Sequence, residues 1–363
     1  MIYGERVKQI RELLGMTQTE LAAQCNVTQP LIAHIEGGRA MPSDSFIQGL
    51  SLQTGFPVTF FRQLPRGDFP MGSLLFRARA CMTERQLREM YRYGEAVFEI
   101  ASRLLPQIKP IPLRVPTGLG VEPKIAAALC RSELGLPPDT PMKNVTLALE
   151  KGGILVLAIP KRFEDRDAFS LWTGAENRRP MIIVGTGNAP DRLRFSLCHE
   201  LGHLVMHQPA EGLVADIERE AHQFAAEFLL PEAAITQDLV PPYSLDLFAV
   251  LKRRWGVSIQ ALIRRARDLD ILTLRQYKYL FQKLSVRGWR KSEPVVIPLE
   301  RPRALRQMAE ILYGLPIDYA RLASDVRMSE KFVRQVIEVH AAKTATPALS
   351  QSRSNVIVFS KRA

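Results

Sequence analysis

At 363 residues the chain is long enough for two or three domains, and its 46% hydrophobic content is that of a globular protein able to bury real cores. The formal net charge of +12 favours an anionic partner, nucleic acid first and an acidic membrane surface second. Cys25, Cys81, Cys130 and Cys198 form no CxxC pair, which argues against a disulfide framework or a cysteine-based zinc site and suits a reducing compartment.

The start of the chain, Met1-Ile2-Tyr3-Gly4-Glu5-Arg6, is charged at once and lacks a signal-peptide core. No apolar run reaches roughly 18 residues. The expected location is cytoplasmic, with no membrane partner. The expected fold class is mainly α, with an all-α N-terminal domain and a small mixed α+β domain further on.

Residues 1–62 read as a domain of short helices. Val7, Ile10, Leu13 and Leu14 recur at helical spacing, and Gly15 stops that helix. Thr17 caps a second helix, with Glu20 three residues on to complete a capping box. After the turn at Asn26-Val27, Thr28 caps a third that ends at Gly37-Gly38. The run from Gly15 to Arg39 resembles the XRE/Cro type of helix-turn-helix. That resemblance implies double-stranded DNA as partner, possible homodimers on paired half-sites, and Thr28 and Gln29 opening the recognition helix. Gln29 has the bidentate amide suited to adenine, and Gln18 opens the preceding helix where amides meet phosphate. Thr28 is both an N-cap and a base-contact candidate. His34 and Arg39 are phosphate candidates, and Glu36 is expected to pair with Arg11. The domain's own charge is nearly balanced, six Lys or Arg against five acids through residue 66.

Residues 63–115 read as a Pro- and Gly-rich linker over 63–72, followed by a long amphipathic helix over about 83–105 ended by prolines. Residues 116–240 form the mixed domain. Helices are expected at 123–135, 143–151, 190–207 and 216–230, and strands at Gly153–Ile159 and Met181–Val184. Residues 241–363 read as a helical, basic region. From 287 onward fourteen Lys or Arg face seven acids, either as DNA support or as a solvated face. The stretch Ile317–His340 faintly echoes a second helix-turn-helix, with a packing or dimerisation element the simpler reading. The tail at 341–355 is rich in Ala, Thr and Ser and reads as loose.

Four of the six histidines lie between positions 199 and 222. His199 and His203 are one helical turn apart, so both imidazoles can reach one ion, and Glu200 beside them is the general base expected of an HExxH motif. A nitrogen and oxygen donor set suits zinc. Glu218, fifteen residues after His203, is the third-ligand candidate, with Glu220 as its rival. His207, a further turn on, reads as an outer-shell donor to the ligands, and His222 as a possible one. Cys198 points to another side of the helix and reads as core packing.

Phe195–His207 and Glu218–Pro231 together resemble the two signature helices of the ImmA/IrrE family of metallopeptidases. The resemblance implies a gluzincin-like zinc peptidase domain. Its order of Glu, then Ala, then Phe-Ala-Ala selects Glu218 as ligand. His222 departs from the Asn or Asp usual at its position. The implied function is a DNA-binding metallo-endopeptidase that cleaves a repressor or antitoxin-like protein in a stress or mobile-element response. The alternative is a transcription regulator or antitoxin whose zinc domain senses a ligand without proteolysis.

Overall fold

The computed structural model describes residues 1–65, 69, 83–109, 111–160, 168–173, 179–207 and 214–340. Most of the 63–72 linker, Cys81 and the 341–355 tail lie outside the described residues.

Five helices open the chain: α1 (Gly4–Leu13), α2 (Gln18–Gln24), α3 (Gln29–Glu36), α4 (Asp44–Thr54) and α5 (Val58–Phe61). Gly15, at φ +66°, turns the chain after α1. Thr17 and Glu20 then form the expected reciprocal capping box at the start of α2. Thr28 sits at the N-cap of α3, but its hydroxyl makes no capping bond. Gly4 is required by packing: a Cβ there would fall 1.8 Å from the carbonyl oxygen of Ile35. Val7, Ile10, Leu21, Ile32, Ile35 and Leu50 fill the space between these helices.

The long helix α6 (Glu84–Leu104) begins at a capping box between Thr83 and Gln86. One side meets α1 through buried polar pairs. Arg6 donates to Glu99 at 2.8 Å, Gln9 to Glu95 at 3.0 Å, and Arg92 to Glu12 at 2.8 Å. The other side meets a sheet, where a Cβ on Gly94 would come within 3.3 Å of Ile183 and 3.6 Å of Phe169. The apolar residues of α6 belong to the same core as those of α1–α5.

That sheet has three strands, β1 (Leu155–Ile159), β2 (Ala168–Thr173) and β3 (Arg179–Gly185), in the order β1-β3-β2. β3 runs parallel to β1 and antiparallel to β2, with Ile182 opposite both Val156 and Ser170. Alternation of side chains divides the interior in two. Leu157, Phe169, Leu171, Met181 and Ile183 face the core shared with α6, whereas Val156, Ile182 and Val184 face a second core.

The second core is built from α7 (Pro123–Glu133), α8 (Val145–Lys151), α9 (Pro190–Met206), α10 (Val214–Leu229), α11 (Glu232–Asp238), α12 (Leu245–Trp255), α13 (Ile259–Asp268) and α14 (Leu274–Val286). The region from 241, expected to be helical, opens with the last three of these, with Gly256 at φ +69° separating α12 from α13.

Three final helices, α15 (Ala304–Tyr313), α16 (Tyr319–Val326) and α17 (Glu330–Val339), return to the first core. The Phe332 ring packs on Phe56 at 5.7 Å and on Tyr93 at 5.4 Å. This element therefore packs against both the N-terminal helices and α6. His340, fully buried, accepts a hydrogen bond from the Ala158 backbone N–H at 2.8 Å and bonds the Val336 carbonyl at 2.7 Å. It thereby closes the free edge of β1, and burial pushes its pKa down to about 4. Among the described residues no helix is long and apolar enough to cross a membrane.

Candidate metal centre and helix-turn-helix

Helix α9 starts with Pro190 in its first turn, where a missing N–H costs nothing, and runs across the second face of the sheet. Helix α10 lies close against it because residue 202 is glycine. A Cβ there would meet Phe224 at 3.1 Å and the Ala221 Cα at 3.2 Å. This close approach carries Glu218 over the two histidines of α9.

His199 Nε2 lies 3.1 Å from Glu218 Oε2 and 3.2 Å from His203 Nε2, and His203 Nε2 lies 3.6 Å from Glu218 Oε1. A zinc ion with tetrahedral bonds of ~2.05 Å would hold its ligand atoms about 3.3 Å apart. The donor atoms of this structure stand at that spacing, so the residues fit such an ion. The rival carboxylate, Glu220, is placed elsewhere, with its Oε2 3.0 Å from His207 Nε2. His207 Nδ1 in turn lies 3.0 Å from His203 Nδ1. Glu220, His207 and His203 thus form a relay that ends at the cluster.

Glu200 is buried and is not one of the converging groups. Its Oε2 accepts a 2.6 Å hydrogen bond from the Ser170 hydroxyl on β2. His222 places its ring 4.7 Å from Phe195 and 5.8 Å from His199, and makes no hydrogen bond among the described residues. Burial, with His199 and Arg264 nearby, holds its pKa below the usual value. His199 Nδ1 is buried without a hydrogen-bond partner among the described residues. Cys198 lies wholly in the second core, where burial pushes its thiol pKa far up.

In the N-terminal helices, Thr28, Gln29, His34 and Arg39 are exposed and Gln18 is half-buried. The amide of Gln29 donates to Gln18 Oε1 at 2.8 Å, and Gln18 donates to Glu36 at 2.8 Å. Glu36 is gripped by the Arg11 guanidinium at 2.5 and 2.9 Å, as expected. Gln29 is therefore the exposed tip of a chain of oriented polar groups.

Ser170 was not legible beforehand. Its signal is the alternation in Ala168-Phe169-Ser170-Leu171-Trp172, in which Phe169 and Leu171 face one core and Ala168 and Trp172 pack on the other. The relay role of Glu220 was also hidden, because spacing alone leaves Glu218 and Glu220 both within reach of α9.

Fold and site define a helix-turn-helix domain packed with an HExxH-bearing domain. The family model of the IrrE N-terminal-like domain, Peptidase M78, matches residues 149–267, and that of the helix-turn-helix matches residues 7–61. The chain joins a helix-turn-helix domain of the XRE type to a domain of the ImmA/IrrE-like peptidase family. No curated protein matches it. Among solved structures, Bacillus thuringiensis PlcR in complex with the peptide PapR7 and DNA aligns at 15% identity, over 93% of this chain and 95% of that one. Its TM-score is 0.15, a likeness too slight to carry an argument.

Proposed function

We propose that this protein is a cytoplasmic, DNA-binding zinc metallo-endopeptidase. The observation that carries the reading is the convergence of His199, His203 and Glu218 at metal-ligand spacing, with a separate buried carboxylate, Glu200, one residue from the first histidine. A purely structural zinc site has no use for Glu200. His199, His203 and Glu218 would hold the ion, and the relay through His207 to Glu220 would orient the His203 ring. Zinc in such a site supplies Lewis acidity toward a peptide carbonyl and toward water.

The chain's own groups do the rest. Ser170 donates to Glu200, which fixes the carboxylate as an acceptor and leaves it to take a proton from the attacking water and pass it to the leaving amine. Strand β2 has no neighbour on its outer edge among the described residues. An extended segment of a protein substrate can add there beside α9. The family resemblance makes a repressor or antitoxin-like protein the substrate.

The helix-turn-helix would dock α3 in the major groove of double-stranded DNA. Gln29 would read a base edge, helped by Thr28, whose hydroxyl is free of capping duty, and Gln18, His34 and Arg39 would contact phosphates. Two copies on paired half-sites would suit this domain type.

The test compares wild type with Glu200→Gln, at matched zinc content, for cleavage of the candidate repressor. Cleavage should vanish in the variant while its zinc is retained. Equal cleavage by both forms would remove Glu200 from the mechanism. For the DNA arm, Gln29→Ala should weaken operator binding by about 1–3 kcal/mol and leave random DNA nearly unaffected. An equal loss on both would reduce Gln29 to a phosphate contact.

One observation favours a second reading, a regulator whose zinc domain acts as a sensor. α6 is packed on the helix-turn-helix by Arg6–Glu99 and on the sheet by Gly94, next to the strand that bears Ser170. A change in operator affinity above tenfold in Glu200→Gln (about 1.4 kcal/mol) would support it.

A further inference from the structure

Most of the chain's net positive charge arises in one segment. Residues 252–291 carry twelve Lys or Arg and two Asp, a surplus of ten against a net +12 for the whole chain. The helix-turn-helix, by contrast, is nearly neutral.

Some of these cations are paired: Lys252 bridges Asp191 and Glu293, Arg265 meets Glu227, Arg254 meets Asp238, Arg267 meets Asp270, and Arg287 meets Asp246. Arg264, Arg275, Lys278, Lys283, Arg290 and Lys291 are exposed and make no ion pair among the described residues. Their placement is contiguous. On α14, Leu280 and Leu284 are buried, so Arg275, Lys278, Tyr279 and Lys283 share the opposite face. The Lys283 ammonium sits 4.7 Å over the Tyr279 ring, and the Arg290 guanidinium 5.2 Å over Phe281 of the same helix. From there Arg290 and Lys291 lead to a cleft of about 1380 Å³ whose lining mixes both signs, Arg264 with Asp268 and Glu232 among them, so the surface of one sign is that of α14 and the turn after it.

A solvated face normally mixes both signs, and a cluster of one sign repels itself. This cluster therefore points to a polyanion. Tyr279 and Phe281 each carry a cation over the ring, so the surface offers charged heads rather than bare stacking platforms. That suits phosphates rather than unstacked bases. From Arg275 to Val286, α14 spans roughly 17 Å, about half a turn of duplex.

We propose that the face running from Arg275 to Lys291 is a second, sequence-independent DNA-binding surface, which engages the phosphate backbone of a duplex. It supplies the non-specific affinity that the near-neutral helix-turn-helix lacks. The α14 part lies beyond the 149–267 segment matched by the peptidase-domain family.

The test is titration of the full-length protein with random-sequence duplex over a range of salt. Each lost phosphate contact reduces the slope of log affinity against log salt by about 0.9. Arg275→Gln/Lys278→Gln/Lys283→Gln should therefore flatten the slope by roughly 2.7 and weaken low-salt binding by roughly tenfold or more, with an unchanged melting temperature. The control removes equal charge elsewhere, as Arg321→Gln/Lys331→Gln/Arg334→Gln, and should leave the slope as in wild type. An unaltered slope in the α14 variant, or equal flattening in the control, overturns the proposal. If the α14 variant loses binding to polyglutamate while keeping wild-type binding to duplex, the partner is an acidic protein and the proposal is again overturned.

Discussion

His340 provides a quantitative test of how the C-terminal helices are held. Its ring is buried and neutral, bonded to the Ala158 N–H on one side and the Val336 carbonyl on the other. Folding lowers its pKa from 6.5 to about 4. Below pH 6.5 the unfolded chain takes up a proton that the folded chain refuses until about pH 4. The stability from this group is therefore fully present above 6.5 and is lost as pH falls through that window. Between pH 7.5 and 5 the loss is about 2 kcal/mol, rising to roughly 3 kcal/mol near pH 4. Glu150 acts in the opposite sense. Burial raises its pKa to about 8 although it accepts the N–H groups of Arg303 and Ala304, so its contribution falls as pH rises. The informative quantity is thus the difference between wild type and His340→Gln, which keeps a donor and an acceptor but does not titrate. Urea unfolding across pH 7.5 to 5 should show wild type losing about 2 kcal/mol more than the variant. Superimposable pH profiles would refute the buried neutral imidazole.

Two substitutions probe the packing that positions the sites. Gly202→Ala should cost about 1–3 kcal/mol by overpacking α9 against α10. It should also lower metal affinity by moving Glu218; a melting temperature and metal content equal to wild type would show that the helices tolerate the extra methyl. Arg6→Met should cost roughly 3–5 kcal/mol because Glu99 is left buried and unpaired. Arg6→Met/Glu99→Leu should recover much of that loss in the same unfolding assay, and a double variant no better than the single would contradict this account.

What could be read from the sequence followed the strength of local signals. The capping box at Thr17 and Glu20 and the helix bearing His199 and His203 rest on residues close in sequence or on a strong period. Strand β2 is six residues long, and half its alternation is carried by Ala and Ser, so Ser170 gave no separate signal. That Glu218 stands beside His199 and His203 while Glu220 stands beside His207 is a tertiary fact, which depends on the close approach of α10 permitted by Gly202. The same is true of α15–α17. The faint echo of a helix-turn-helix in Ile317–His340 was visible, but the docking of Phe332 on Phe56 and Tyr93, hundreds of positions away, was not. Nor does a Pro- and Gly-rich stretch at 63–72 reveal that α1–α5 and α6 share one core. The basic excess was legible as a sum, whereas its concentration on α14 needed the burial of Leu280 and Leu284 to define an outer face.

The most direct test of the central claim is metal stoichiometry by elemental analysis across one set of purified variants. Wild type should hold one zinc per chain, and Glu200→Gln and Glu220→Ala should retain most of it. His203→Ala and Glu218→Ala should lose it. Full zinc in Glu218→Ala with loss in Glu220→Ala, or no zinc in wild type, would contradict the ligand set on which the account stands.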